Sequence, residues 1–166
     1  MNTKIKIWID EAGRWPWLWS VVACSLCFNP ENKPDDEFLN KINDSKKISE
    51  KNRDELYKEL INMSLWDNPK VFFGVWVVDN NLIDEINIKQ ANREAMRRSL
   101  VELLRKIDNE NISSVVIDWN DNYKFDELEK DPIFIIWWDW KIVEIWAASI
   151  IAKVFRDKLM VTYSEL

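Results

Sequence analysis

The sequence has no histidine, and only 2 glycines and 2 cysteines, among its 166 residues. The absence of histidine excludes Ser/His/Asp and Cys/His catalysis, because each of these mechanisms needs an imidazole base. It also leaves too few ligands for a zinc site, since the cysteines form only one pair. That pair, Cys24 and Cys27, lies inside an apolar run that resembles a strand. We therefore predict two buried small residues and not a redox CxxC motif.

Long hydrophobic runs are also missing. The longest, such as Val21–Phe28, are about as long as a strand and far short of the roughly 20 residues of a membrane span. No charged segment followed by a long apolar segment marks a signal peptide at the N-terminus. The composition, with 47% hydrophobic and 31% charged residues, predicts one soluble domain over residues 1–166. We expect this domain to be cytoplasmic, with no membrane partner.

The net charge of −6 is unusual for a protein that binds nucleic acid. It does not exclude that class, because a site built from carboxylates that hold divalent cations is acidic in sequence.

Tryptophan is as abundant as glycine is scarce. The 2 glycines and 11 tryptophans together come to about the dozen glycines that ordinary usage of roughly 7% predicts. Several tryptophans, such as Trp137, Trp138 and Trp140 around Asp139, stand where turns favour glycine. One hypothesis is that most of them are glycine in the working protein, for example through a genome that reads UGA as Gly. The alternative is a genuinely tryptophan-rich domain, which must pack many indoles beside charged turns.

The hydrophobic pattern predicts one α/β domain with a mixed β-sheet flanked by helices. Predicted strands cover residues 4–9, 19–28, 71–78, 114–117 and 133–136. Predicted helices cover residues 50–63, 87–107 and 147–160, with Ser49 as the N-cap of the first.

Acidic residues follow three of these strands. They are Asp10 with Glu11, then Asp118, then Asp139. Ends of strands in an α/β sheet converge at one edge, and carboxylates grouped there repel one another unless cations lie between them. Carboxylate oxygens are preferred ligands of Mg²⁺ and Mn²⁺, and a pair of such ions about 4 Å apart suits phosphodiester hydrolysis. The alternative for each residue is a solvated carboxylate in a turn.

The motifs around these residues resemble the ribonuclease HII family, in one order along residues 4–163. Residues 9–16 read IDEAGRWP, where the family has Asp-Glu-(Ala/Val)-Gly-Arg-Gly-Pro. The other matching segments are NDSKKIS at 43–49, IDEINI at 83–88, AMRR at 95–98, IDW at 117–119, AASIIAKV at 147–154 and RD at 156–157. The family places glycine at the positions of Trp8, Trp15, Trp19, Trp119 and Trp138, which favours the glycine hypothesis.

The resemblance implies a ribonuclease H-like fold and an endonuclease that cuts the RNA strand of RNA–DNA hybrids. It also implies cleavage 5′ to ribonucleotides embedded in duplex DNA, leaving 5′-phosphate ends, with two Mg²⁺ or Mn²⁺ ions. Asp10, Glu11, Asp118 and Asp139 match the four metal-binding and catalytic carboxylates. Asp157 is the rival for the fourth position, although a surface ion pair on the last helix suits it better.

The resemblance also implies substrate-binding roles for eight residues. Gly13, Arg14 and Trp15 match the loop that approaches the ribose and senses its 2′-hydroxyl, and a literal Trp15 fills that space. Asn43, Ser45 and Lys46 match a segment that contacts the phosphate backbone, and Ser149 with Lys153 can do the same from a helix. Outside the resemblance, the alternative for these polar residues is a solvated loop and helix face.

Two alternatives to an active, monomeric enzyme follow. The family continues past the position of Leu166 with a segment that carries a tyrosine at the cut site, so we expect the chain to lack that segment. A non-catalytic fragment that binds hybrids is therefore the second candidate, through truncation or genuine tryptophans. A structural α/β module with incidental acidic turns is the third, and it predicts no stabilisation by metal.

Overall fold

The computed structural model describes residues 4–13, 20–42, 48–120, 123–135 and 142–165. The strands in these ranges are β1 (Ile5–Ala12), β2 (Val21–Phe28), β3 (Val71–Val78), β4 (Ile112–Asp118) and β5 (Ile133–Ile135). The α-helices are α1 (Asp36–Lys41), α2 (Glu50–Ser64), α3 (Asn80–Leu104) and α4 (Val143–Ser164), and a short 3-10 helix covers Asn109–Asn111.

The strands form one mixed sheet in the order β3-β2-β1-β4-β5. β1 pairs antiparallel with β2, and β2 pairs antiparallel with β3. On its other side β1 pairs in parallel with β4, and β4 pairs in parallel with β5. β1 is therefore the central strand, and the predicted mixed sheet is confirmed.

Helices cover both faces of the sheet. On one face α3 packs on β1, β2 and β3 around a core that includes Ile7, Ile9 and Leu100. On the other face α2 and α4 pack around a second core, which includes Leu26 of β2, Ile151 of α4 and Phe38 of α1. None of the helices in the described ranges has the length and apolar character needed to cross a bilayer.

α3 lies unusually close to the sheet where three small residues meet. Gly74 of β3 pairs with Ser25 of β2, and the Ser25 hydroxyl hydrogen-bonds to the Ser99 hydroxyl of α3 at 2.7 Å. A Cβ atom at Gly74 would lie 2.1 Å from the Ser99 carbonyl oxygen and 2.6 Å from the Leu103 nitrogen. Contacts this short are sterically forbidden, so the position requires glycine.

Most predicted elements are confirmed with small shifts. β3 covers the predicted residues 71–78, and α2 begins after Ser49, whose hydroxyl accepts a hydrogen bond from the Asn52 N–H. α1 and the 3-10 helix are additions that the periodicity of such short segments does not reveal.

α3 begins at Asn80 but is kinked at Asn87, so the helix predicted to start at Asn87 is its second segment and the first segment was not predicted. The predicted helix start at Asn87 has a structural basis. Asn87 has φ 67° and ψ 160°, outside the helical region, and its side chain accepts hydrogen bonds from the N–H groups of Lys89 and Gln90. Asn87 thus acts as an N-cap inside a kinked helix, where the helix restarts.

The two cysteines are buried and free, as predicted for structural residues. Cys24 and Cys27 belong to the cores on opposite faces of the sheet. Burial raises the pKa of the Cys24 thiol well above its ordinary value and that of Cys27 to about 12. A reactive thiol needs the opposite shift, so the structure gives no support to a redox pair.

Candidate active site

The carboxylates of Asp10 and Asp118 stand at the same edge of the sheet. β1 and β4 are parallel, and Ile9 lies opposite Ile117 in their register. Asp10 and Asp118 are the next residues on each strand, and neighbouring strands are about 4.8 Å apart. The parallel pairing therefore brings together two carboxylates that the sequence places far apart.

Asp10 is 8% exposed and is embedded in hydrogen bonds. Its Oδ1 accepts from the Glu11 N–H at 2.8 Å, and its carboxyl also hydrogen-bonds to the side chains of Ser149 and Glu11. Burial raises the pKa of Asp10, while the Ser149 hydrogen bond, the Glu11 N–H and the charge of Lys153 oppose that rise. The site thus favours a nearby positive charge.

Ser149 and Lys153 lie one turn apart on α4, on the side of the helix that faces Asp10. Ser149 is buried and Lys153 is half-buried. The structure places both residues beside the carboxylate of Asp10. The sequence prediction assigned them to the phosphate backbone and did not include this role.

Gly13 directly follows β1 and has φ +100°, a conformation that favours glycine. A Cβ atom here would lie 2.5 Å from the Ser20 carbonyl oxygen and 2.6 Å from Nε of Arg156. Gly13, Ser20 and Arg156 are therefore in close contact. Gly13 is a predicted site residue, whereas Arg156 is not; its signal in the sequence is the RD motif at 156–157.

Six predicted site residues lie outside the described ranges. They are Arg14, Trp15, Asn43, Ser45, Lys46 and Asp139. Their predicted roles stay predictions.

The carboxylates in the described ranges provide oxygen atoms of the kind that bind divalent cations. Asp10 and Asp118 lie on neighbouring strands, and Glu11 hydrogen-bonds to Asp10, so oxygen ligands of the kind that Mg²⁺ and Mn²⁺ prefer are present. Within those ranges, no three acidic, His or Cys side chains group closely enough to hold an ion alone. The sequence prediction assigns the remaining ligand to Asp139, which lies outside these ranges.

Asp157 lies on the exposed side of α4, with its side chain 56% exposed. Its Oδ2 is 4.0 Å from Nη1 of Arg53 on α2. Asp157 thus forms a surface ion pair, although its partner is Arg53 on α2 and not a residue of the last helix. The assignment of the fourth ligand to Asp139 stays a prediction.

Of the tryptophans predicted to replace glycine, Trp8 and Trp119 are described, whereas Trp15, Trp19 and Trp138 lie outside the described ranges. Trp119 is buried, and its backbone N–H donates to the carbonyls of Ile117 and Ile135. In the described ranges only Asn87 and Gly13 have positive φ. The backbone at Trp8 and Trp119 therefore does not itself demand glycine, and the glycine hypothesis stays a prediction.

A family model described as Ribonuclease HII matches residues 7–166. The chain belongs to the ribonuclease HII family. The resemblance drawn from the sequence motifs is thereby confirmed.

Curated relatives support this membership. Ribonuclease HII of Fusobacterium nucleatum is 40% identical over 160 residues, which cover 96% of this chain and 68% of the relative. Ribonuclease HII of Listeria monocytogenes is 37% identical over 157 residues, which cover 95% of this chain and 52% of the relative. The chain spans about half the length of several curated ribonucleases HII that it matches.

Solved structures confirm the ribonuclease H-like fold. The ribonuclease H2 from Pyrococcus horikoshii matches with a TM-score of 0.73 at 25% identity, covering 97% of this chain and 76% of that one. Bst-RNase HIII, solved in complex with Mn²⁺, matches with a TM-score of 0.75 at 17% identity, covering 98% of this chain and 55% of that one. At that identity the second match speaks for the fold alone.

Proposed function

We propose that the protein is an endoribonuclease that hydrolyses the RNA strand of RNA–DNA hybrids and cuts 5′ to ribonucleotides embedded in duplex DNA. The observation that carries the proposal is the juxtaposition of Asp10 and Asp118 on parallel strands in a chain of the ribonuclease HII family. The products carry 5′-phosphate and 3′-hydroxyl ends.

Asp10, Glu11, Asp118 and Asp139 hold two Mg²⁺ or Mn²⁺ ions in this proposal. Bound there, the ions supply an activated water and neutralise charge on the scissile phosphate. The hydrogen bond from Ser149 and the charge of Lys153 favour the ionised form of Asp10, which is the form that binds a cation. Burial of Asp10 supports the proposal, because a buried carboxylate gains most from a cation beside it.

Eight residues bind the substrate in this proposal. Gly13, Arg14 and Trp15 lie next to the ribose of the cut strand, and its 2′-hydroxyl separates RNA from DNA. The other five contact the phosphate backbone: Asn43, Ser45, Lys46, Ser149 and Lys153. The contact of Gly13 with the Ser20 carbonyl leaves no room for a side chain at Gly13, which supports a close approach of its backbone to the ribose.

The proposal includes a monomeric, cytoplasmic enzyme. Its two cysteines are free and buried, which suits a reducing compartment.

The test is cleavage of three labelled 20-base-pair duplexes: an RNA–DNA hybrid, DNA with one ribonucleotide, and DNA alone, each with Mg²⁺, Mn²⁺ or EDTA. We expect metal-dependent cleavage of the first two only, with 5′-phosphate ends. Asp118→Asn removes a ligand and should lower the rate at least about 100-fold, since a metal supplies several kcal/mol to the transition state. Asp131→Asn is the matched control, because Asp131 precedes β5 at the far end of the sheet and pairs with Lys124.

Two outcomes contradict the proposal. Binding of the hybrid without cleavage in Mn²⁺ favours the non-catalytic, hybrid-binding alternative. Equal rates for Asp118→Asn and Asp131→Asn exclude the carboxylate site as the source of any activity observed.

A further inference from the structure

Arg156 contacts the chain on both sides of residues 14–19. Its Nε–H donates to the Ser20 carbonyl oxygen at 3.3 Å. The space beside Gly13 is closed by the same guanidinium, since a Cβ there would be 2.6 Å from Nε and 3.0 Å from Cδ of Arg156. Gly13 itself lies against the Ser20 carbonyl. One side chain thus holds the two flanking residues together.

The same helix face contacts the carboxylate site. Ser149, Lys153 and Arg156 are spaced four and then three residues apart on α4, which places them along one side of the helix. Ser149 and Lys153 act on Asp10, near the end of β1, while Arg156 contacts Gly13, just beyond the strand. One side of α4 therefore contacts both Asp10 and the Gly13–Ser20 pair.

Arg156 contributes little to holding α4 in place. The helix is anchored by its apolar side, on which Ile145, Ile150 and Ile151 are almost completely buried. Arg156 is only partly buried, whereas its acceptor residue Ser20 is 3% exposed. Loss of the guanidinium should therefore leave the fold intact and release only the contact at Gly13 and Ser20.

We propose that Arg156 is a positioning residue that fixes Gly13 against Ser20 and thereby sets the selectivity of the site for a ribonucleotide. The proposal rests on the proposed function, in which Gly13 lies next to the ribose. Arginine suits the task because its planar group and its Cδ fill the space beside Gly13 while Nε donates to Ser20. Lysine keeps the charge but not this shape.

The test uses the full chain with Arg156→Met and Arg156→Lys. Lys158→Met is the matched control, because Lys158 is a cation on the same helix that pairs with Asp54 at 3.0 Å, away from Gly13. Binding of an RNA–DNA hybrid and of DNA of the same sequence is measured in Ca²⁺, together with hydrogen exchange at the amides of residues 12–21. Thermal melting checks that each variant folds.

We expect Arg156→Met to lower the preference for the hybrid about tenfold, as loss of a charged hydrogen bond predicts, and to speed exchange at Gly13 and Ser20. Arg156→Lys should show smaller changes than Arg156→Met in both the preference for the hybrid and the exchange rate. Lys158→Met should change neither quantity. A preference and an exchange rate for Arg156→Met that match those of Lys158→Met overturn the proposal. If the unsubstituted chain shows no preference for the hybrid, the proposed function fails, and the exchange rates alone decide whether Arg156 holds Gly13.

Discussion

Substitution of Gly74 by alanine tests how closely α3 packs on the sheet. The added Cβ would lie 2.1 Å from the Ser99 carbonyl oxygen and 2.6 Å from the Leu103 nitrogen, both backbone atoms of α3 that no rotamer change can move. Ordinary contacts begin near 3.4 Å, so the helix must retreat by more than 1 Å. That retreat also breaks the hydrogen bond between Ser25 and Ser99.

The expected loss of stability combines both effects. Overpacking costs about 1–3 kcal/mol and a lost hydrogen bond about 1 kcal/mol, so the free energy of unfolding should fall by roughly 2–4 kcal/mol. For a chain of this size the melting temperature should fall by roughly 5–15 °C. Urea unfolding and calorimetry measure the two quantities.

Ser99→Ala is the control for Gly74→Ala, because it removes the hydrogen bond to Ser25, together with the Ser99 bond to the Met96 carbonyl, without adding an atom between α3 and β3. We expect it to cost about 1–2 kcal/mol. If Gly74→Ala is no more destabilising than Ser99→Ala, the close contact between α3 and β3 is not present in solution and the reasoning is wrong.

Three further predictions concern the site and its surroundings. Asp10→Asn should raise the melting temperature of the metal-free protein at neutral pH. The folded-state pKa of Asp10 is raised, so the stability that Asp10 contributes is complete below its ordinary pKa and is lost as pH rises through the folded value. In melts from pH 3 to 8, the difference in melting temperature between Asp10→Asn and the parent should therefore shrink at low pH. Saturating Mn²⁺ should raise the melting temperature of the parent only. Ser149→Ala removes a hydrogen bond that lowers the pKa of Asp10, so the acidic limb of the cleavage profile should move to higher pH; an unmoved limb contradicts the assigned contact. Trp146→Phe removes a buried indole N–H that has no hydrogen-bond partner, so it breaks no hydrogen bond. Urea unfolding should show only the packing loss of the smaller ring, well below the ~3–5 kcal/mol expected for Trp146→Ala. A loss for Trp146→Phe as large as that for Trp146→Ala contradicts this prediction.

Local signals in the sequence predicted much of the fold. Apolar alternation ending in Asp10 and Glu11 gave the central strand, and Ser49 marked the start of α2 because its side chain caps the helix. Asn87 shows where local reasoning stops. Its capping geometry is visible in the sequence, but whether the chain before it is also helical depends on packing that one segment does not encode.

Contacts between distant segments were beyond the sequence patterns. The pairing of Ile9 with Ile117, which places Asp10 beside Asp118, follows from a choice of strand order that periodicity cannot make. The strand-end pattern allowed these carboxylates to share a site but left solvated turns as the alternative, and the family resemblance favoured the shared site. The contact of Arg156 with Ser20 depends on the angle at which α4 crosses the sheet, so only the structure reveals it.

The position of β1 at the centre of the sheet has a consequence for the order of folding. β1, β2 and β3 form an antiparallel unit from the first half of the chain, and it can assemble while the rest is still being synthesised. β4 arrives only after α1, α2 and α3, and its parallel pairing closes a long loop, which is slow. Until then β1 has an open edge and Asp10 has no neighbour in Asp118. A nascent chain should therefore acquire the proposed affinity for divalent metal late, after most of its secondary structure has formed.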